Sequence, residues 1–562
     1  MKYLFIAVGG SGTKVAEALV NLLAVGFPTR AGAGGLTSEG DTLEIWRLDP
    51  DASSGAADSL QACVDAYTKM QEHLGGKWAV EVDSVIRHLD PLRLPQADSA
   101  DNQVRTLEGI LCSGYGAKIS SDPFLRLFYE PKDLEVKIDR GFYQKPFIGA
   151  PVMAVFSDSL TDETTHGGAQ CRLNHHESLA VRFFLCGSLH GGTGACGVPI
   201  MGKFLKGRKK EKDLNKWRVG ACLLAPYSLP PEPPFGPLRD GEQVTDALVT
   251  ERMRAYSSEK AFLGLTPEEQ RELTKQILLG FYADPRDMPE RTRQALLYYQ
   301  DHAGDCFDEL YLVGKPEPDQ LLTWSNGGKS QSNPLNSAEV VAALSALNFF
   351  ADPDANRKGY LVGTSTTTLD SHKMHLRDLP HYRVDGQNID PERVFLAAAA
   401  VHHAVLHEIP WDVEARGWNK SITLSAVYKN DEDRKNRDRS LYESALGLLA
   451  SFIAALVYPD RTLGWSEDDA VTLSKFLSRD GRVYRELSEK MEKKGFWNDG
   501  AKEPLHLGGS SISVSAIEFG KWRPEGDQFT RGEYLRHVWS QLFTKDQELE
   551  AKPSFAEAGR GR

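Results

Sequence analysis

The sequence has no apolar run approaching the roughly 20 residues that a bilayer crossing takes. Its longest candidate, SALGLLASFIAALVY at 444–458, reads as a buried helix. The N-terminal apolar run stops after five residues, where glycines begin, too short for a secretory signal. An excess of basic charge is missing too. With 66 Lys and Arg against 78 Asp and Glu, the formal net charge is −12 and the isoelectric point is near 5.7. That excludes a general nucleic-acid binder, whose phosphate contacts need a basic surface. Paired cysteines are absent: the seven, at 63, 112, 171, 186, 196, 222 and 306, are odd in number and form no CxxC. Four sit in apolar segments, which predicts buried free thiols in a reducing, cytoplasmic setting. No internal repeat is present.

What is there is a globular composition, 41% hydrophobic and 26% charged, which supports a large core and excludes wholesale disorder. At 562 residues the chain folds as two or more domains. Continuous apolar runs predict strands at 2–8 (KYLFIAV), 41–49, 150–156 (APVMAVF), SLAVRFFLCG, WRVGACLLAP and 307–314. Helical periodicity marks 13–23, 57–75, a helix near 101–111 and a strong helix at 336–351, with Asn336 or Ser337 as cap. The span 240–300 is charged and helical, broken at TPEEQ and DPRDMP. Strands apolar throughout and alternating with helices predict a parallel sheet covered on both faces. After 352–359 the texture changes, and a second α/β domain is expected from there.

Three glycine-containing loops follow predicted elements: GGSGTK (9–14), CSGYGAK (112–118) and HGGTGACG (190–197). Glycine lets backbone come close to an anion and aim successive N–H groups at it, and a helix N-terminus behind adds favourable partial charge. Loops at the carboxyl ends of parallel strands meet in one crevice, so the three together point to a di- or triphosphate. Singly, each also suits a tight strand-to-helix turn. GGSGTK lacks the length and order of a P-loop, and GSGTKV has valine where a dinucleotide fingerprint needs its third glycine.

The stretch HGGTGACGVPIMGK resembles the tubulin/FtsZ signature GGGTG[ST]G and the helix that follows it. Gly191, Gly192, Thr193 and Gly194 match directly, Ala195 stands where Ser or Thr is usual, and Pro199 and Lys203 match the bacterial form of the helix. His190 replaces the first glycine and Cys196 the last. The pattern is closest to divergent bacterial tubulin-like proteins. The resemblance implies a Rossmann-like, parallel-sheet GTP-binding domain over residues 1–355, with 235–305 as a helical insertion and 336–351 as the central helix. A second α/β domain with a helical C-terminal part would span 356–544, before a disordered tail at 545–562.

The same resemblance assigns roles by position. Gly9, Gly10, Ser11 and Gly12 would meet the diphosphate, and Gly114, Gly116 and Ala117 would close on the γ-phosphate. Asp49 and Asp51 would lie near Mg²⁺, and Glu232 would contact the ribose. Hydrolysis in that family takes an acid from the loop after the central helix, delivered by the next subunit. Here that loop, LNFFADPDANRKG, offers Asp352 and Asp354 without the NxDxxD pattern. The expected protein binds GTP and Mg²⁺ and self-associates into filaments or complexes through longitudinal contacts, with or without protein partners. The alternatives are a scaffold that binds nucleotide without turnover and a dinucleotide enzyme. Three further features stand apart from these roles: His403 and His407 four apart on one helix, Cys196 at a helix start where a thiolate is favoured, and a basic helix end at 206–216.

Overall fold

The computed structural model describes residues 2–27, most of 42–88, most of 106–159 and most of 173–351. It also describes 359–362, most of 379–394 and short strand pieces further on. The principal elements in chain order are β1 (Lys2–Val8), α1 (Gly9–Val25), β2 (Thr42–Leu48), α2 (Gly55–Leu74), β3 (Glu81–His88), α3 (Leu107–Tyr115) and α4 (Pro146–Ser159). They continue with β4 (Val181–Ser188), α5 (Gly192–Glu211), β5 (Arg218–Leu224), α6 (Asp246–Tyr256), α7 (Pro267–Leu278) and α8 (Met288–Tyr298). The last are β6 (Glu309–Val313), α9 (Ser337–Ala351) and β7 (Gly359–Val362).

The fold is α/β. Seven parallel strands form one sheet in the order β3-β2-β1-β4-β5-β6-β7, and Ala556–Glu557 pairs antiparallel with β7 at the edge. β1 lies between β2 and β4, with Lys2 opposite Thr42 on one side and Val181 on the other. Every residue of β4 and β5 is buried, as is all of β1 after Lys2, because helices cover both faces. The chain leaves β1 for β2 in one direction and returns to place β4 on the other side. That reversal makes a switch point between β1 and β4, where open α/β sheets form a crevice at their carboxyl ends.

The segment 150–156, expected as a strand, is helical within α4. A short run that is apolar on every side has no period to separate strand from buried helix; packing decides. Pro151 inside α4 removes the N–H that would bond the Phe147 carbonyl, and the Tyr129 hydroxyl donates to that carbonyl instead, at 3.1 Å. Small residues let α4 lie close to α5: a Cβ on Gly149 would stand 2.6 Å from Cys196 Sγ. The strand β3 has no counterpart among the expected elements.

The charged span folds as expected into helices α6 to α8; Phe262, Leu273, Ile277 and Tyr282 form a small core around α7, and α8 packs on the main core through Ala295. TPEEQ is a helix start, with Thr266 and Glu269 forming a reciprocal cap on α7. Residues 359–362, placed by texture in a second domain, pair with β6 in the first sheet. Tyr382 stacks on Phe27 with ring centroids 6.4 Å apart. Among the described residues no helix is long and apolar enough to cross a membrane. The described cysteines 63, 186, 196, 222 and 306 are free and buried.

Candidate functional site

Two of the glycine runs sit on either side of the switch point, but neither is a loop. β1 passes directly into α1 at Gly9, so Gly9 to Gly12 form that helix's first turn. Likewise α5 begins at Gly192, with Gly191 as N-cap, and takes in Thr193, Gly194 and Ala195. Neither helix has a side-chain cap or an acidic residue in its first turn. Their leading amides are therefore left for another acceptor.

The two starts touch. Gly9 has φ +75°, and a Cβ there would come within 3.2 Å of the Thr193 Cβ and 3.5 Å of the Gly194 amide. Packing accounts for most of the small residues. A Cβ on Gly12 would stand 2.3 Å from the Cys186 carbonyl oxygen, and one on Gly194 2.5 Å from the Ser188 nitrogen. Gly10 is different: a Cβ there would meet nothing within 4 Å, and the residue is exposed.

Across this crevice lies a polar network that the sequence did not reveal. The Tyr227 hydroxyl, just beyond β5, donates to Glu339 Oε1 at 2.8 Å and is itself hydrogen-bonded by Ser11. Glu339 Oε2 accepts the Asn336 amide at 2.7 Å, a cap at the start of α9. Asn336 Oδ1 accepts the Ala338 amide, and its Nδ2 donates to Asp319, which also takes Lys315. Burial pushes the Glu339 carboxyl up to about 7, against the pull of Lys14, the Asn336 amide and Tyr227. Burial alone would lower Lys14, but Glu17, 2.7 Å away, and Glu339 outweigh it and hold the ammonium above its ordinary value. Only the Asn336 cap carried a local signal; the remaining members are brought together by strand order.

No protein-family model matches this chain, and no curated protein matches it.

The remaining expected residues fall in different surroundings. Asp49 and Asp51, after β2, are buried, and Asp49 is tied into its own turn. It accepts the Asp51 amide at 3.1 Å and lies 3.8 Å from Arg47, whose Nη1 donates to the Asp51 carbonyl. Burial pushes Asp49 up to about 6 in spite of Arg47 and that amide. Glu232 is exposed beyond β5. Gly114 lies in α3, which runs through Tyr115, so residues 112–115 of the expected loop are helical. Gly116, Ala117, Asp352 and Asp354 lie outside the described residues, as do His403 and His407. Among the described residues no group of three or more His, Cys, Asp or Glu is gathered as a metal site.

Two residues of the signature take unexpected states. Cys196 is buried, bonds the Gly192 carbonyl at 3.1 Å, and burial pushes its thiol well up. Burial there disfavours a thiolate. His190, immediately before the N-cap of α5, is 7% exposed, and its Nδ1 has no hydrogen-bond partner. Burial, and after it the charge of Arg291 on α8, push the imidazole down to about 4. It is neutral at physiological pH.

Proposed function

We propose that this chain binds a nucleoside triphosphate in the crevice between β1 and β4, with the phosphates on the leading amides of α1 and α5. One observation carries the reading: two uncapped glycine-rich helix starts meet at the switch point of a parallel sheet. Such starts hold anions through oriented N–H groups and the positive end of the helix dipole. The open space at Gly10 leaves room for a ligand on that turn.

The resemblance of 190–203 to the tubulin/FtsZ signature makes the nucleotide GTP with Mg²⁺. In that reading Gly10, Ser11, Gly192 and Thr193 line the phosphates, and the protein assembles into filaments or complexes with hydrolysis completed at the subunit junction. Asp49, engaged by Arg47, favours a second reading in which nucleotide is bound without turnover.

Equilibrium binding of fluorescent GTP and GDP, with ATP and NAD as competitors, tests the first step. Micromolar GTP affinity that ATP and NAD do not displace is the expected result. Absence of GTP binding at millimolar nucleotide with Mg²⁺, or selective binding of NAD, overturns it. Phosphate release across a protein concentration series separates the two readings: turnover rising steeply with concentration marks assembly-driven hydrolysis, and tight binding with none marks the scaffold.

A further inference from the structure

Glu339 offers its carboxyl oxygens to different partners. Oε2 accepts the Asn336 amide at 2.7 Å, and Oε1 takes the Tyr227 hydroxyl at 2.8 Å. Tyr227 is in turn hydrogen-bonded by Ser11, which stands on the first turn of α1 beside the exposed Gly10 and is itself partly exposed. A chain of side chains therefore runs from a buried acid on α9 to the open start of α1. The charge on the acid sets its direction. A carboxylate only accepts, so Tyr227 donates to it, and the phenol oxygen then accepts the Ser11 hydroxyl proton. A carboxylic acid also donates, and with Oε2 facing the Asn336 N–H its proton belongs on Oε1, against Tyr227. Tyr227 then accepts from Glu339 and donates to Ser11, whose own hydroxyl proton is released from the chain.

We propose that protonation of Glu339 reverses this chain and frees the Ser11 hydroxyl to donate to a phosphate oxygen of the nucleotide at the start of α1, so that nucleotide binding is coupled to proton uptake at Glu339. This inference rests on the nucleotide-binding reading above, and it makes Glu339 and Tyr227 positioning residues that act through Ser11. The groups facing Glu339 are Lys14 and Glu17 of α1, Cys186 of β4 and Tyr227. Lys14 stays charged against Glu17, 2.7 Å away, and burial keeps the thiol and the phenol neutral. Glu339 is the acid of the chain, and burial places its titration at about 7, within reach of a ligand's influence. A hydroxyl donated to a phosphate oxygen makes a charge-assisted hydrogen bond, stronger than a neutral pair. The reversed chain is therefore the one that nucleotide favours.

The test measures GTP affinity with Mg²⁺ from about pH 6 to about pH 8.5 for the full chain and for its Glu339→Gln and Ser11→Ala variants. Glutamine turns its oxygen to the Asn336 N–H and its amide nitrogen to Tyr227, which fixes the chain as protonation does. Its profile also carries the ionisation of GTP itself, so each affinity is read as a ratio to that of Glu339→Gln. The original is expected to match Glu339→Gln within about threefold at pH 6 and to bind about tenfold more weakly at pH 8.5, the range for a hydrogen bond to a charged acceptor. Ser11→Ala is expected to hold a ratio constant within about threefold, since the hydroxyl that carries the coupling is gone. A ratio for the original that does not change with pH overturns the proposal. So does Ser11→Ala keeping the full slope, which marks plain repulsion between the Glu339 charge and the phosphates. If Glu339→Gln fails to fold, judged by circular dichroism and thermal melting, a steeper slope in the original than in Ser11→Ala decides alone. No GTP binding by the unaltered protein at any pH overturns the nucleotide reading and this inference together; binding whose pH profile is insensitive to Glu339 overturns the inference only.

Discussion

At the scale of single residues, glycines that look alike in sequence have different reasons to be glycine. Gly12 is fixed by the Cys186 carbonyl, so Gly12→Ala is expected to cost roughly 2–4 kcal/mol by overpacking against backbone. Urea melts check this. Gly10 faces open space, so Gly10→Ala leaves the fold intact and gains up to about 1 kcal/mol of helix propensity. The same substitution is expected to weaken GTP binding by filling the cradle. His190 offers a second test through its titration. Its value in the folded chain, about 4, lies below the ordinary 6.5, so protonation favours the unfolded state. Its contribution to stability is full above about pH 6.5 and is lost as pH falls towards about 4. Between pH 7 and pH 4.5 the original protein is expected to lose about 2 kcal/mol more than His190→Asn in denaturant melts.

At the scale of elements, α9 anchors a buried acid to the crevice. Glu339 caps its own helix through Asn336 and takes the Tyr227 hydroxyl, yet its carboxyl is raised from 4.5 to about 7. A carboxyl raised in the folded state resists ionisation, so stability is full below about pH 4.5 and is lost as pH rises through about 7. Glutamine carries no such dependence. The Glu339→Gln variant is therefore expected to gain about 3 kcal/mol relative to the original between pH 4.5 and pH 8. Thermal melting across that range measures it, and parallel profiles would show that Glu339 ionises freely. The starts of α1 and α5 are simpler: Val8 and Gly191 stand at their N-caps, where helices usually place Ser, Thr or Asp. That choice leaves amides open and is legible in the residues themselves. Its geometry is not, because the glycines read as loops and prove to be first turns.

At the scale of the molecule, the sheet extends past the boundary that texture suggested at residue 355. β7 covers the edge of β6, and Tyr382 packs on Phe27 at the end of α1. A fragment ending at residue 355 is expected to melt lower and precipitate more than one ending at residue 394. Equal melting temperatures would place the boundary back at 355. Much of the fold was legible in the sequence. Strands apolar throughout, such as 2–8 and 181–188, mark a sheet buried on both faces, since only covered parallel strands can hide every side chain. The helical character of 240–300 was legible from its charge, whereas TPEEQ, read as a break, proves to be the capped start of α7. The segment 150–156 was not legible, because a run apolar on all sides has no period and the Tyr129 bond to the Phe147 carbonyl is a long-range event. The polar network was hidden for the same reason: Tyr227 and Glu339 are 112 residues apart and meet only because β5 and α9 share the crevice. The sequence by itself determined the α/β class, the central strands and the glycine-rich starts, all set by local backbone preference and by which faces must avoid water. Only the tertiary structure decided that two of those starts touch, that His190 is enclosed and neutral, and that Glu339 faces Tyr227. Those depend on strand order and desolvation, which no local pattern encodes.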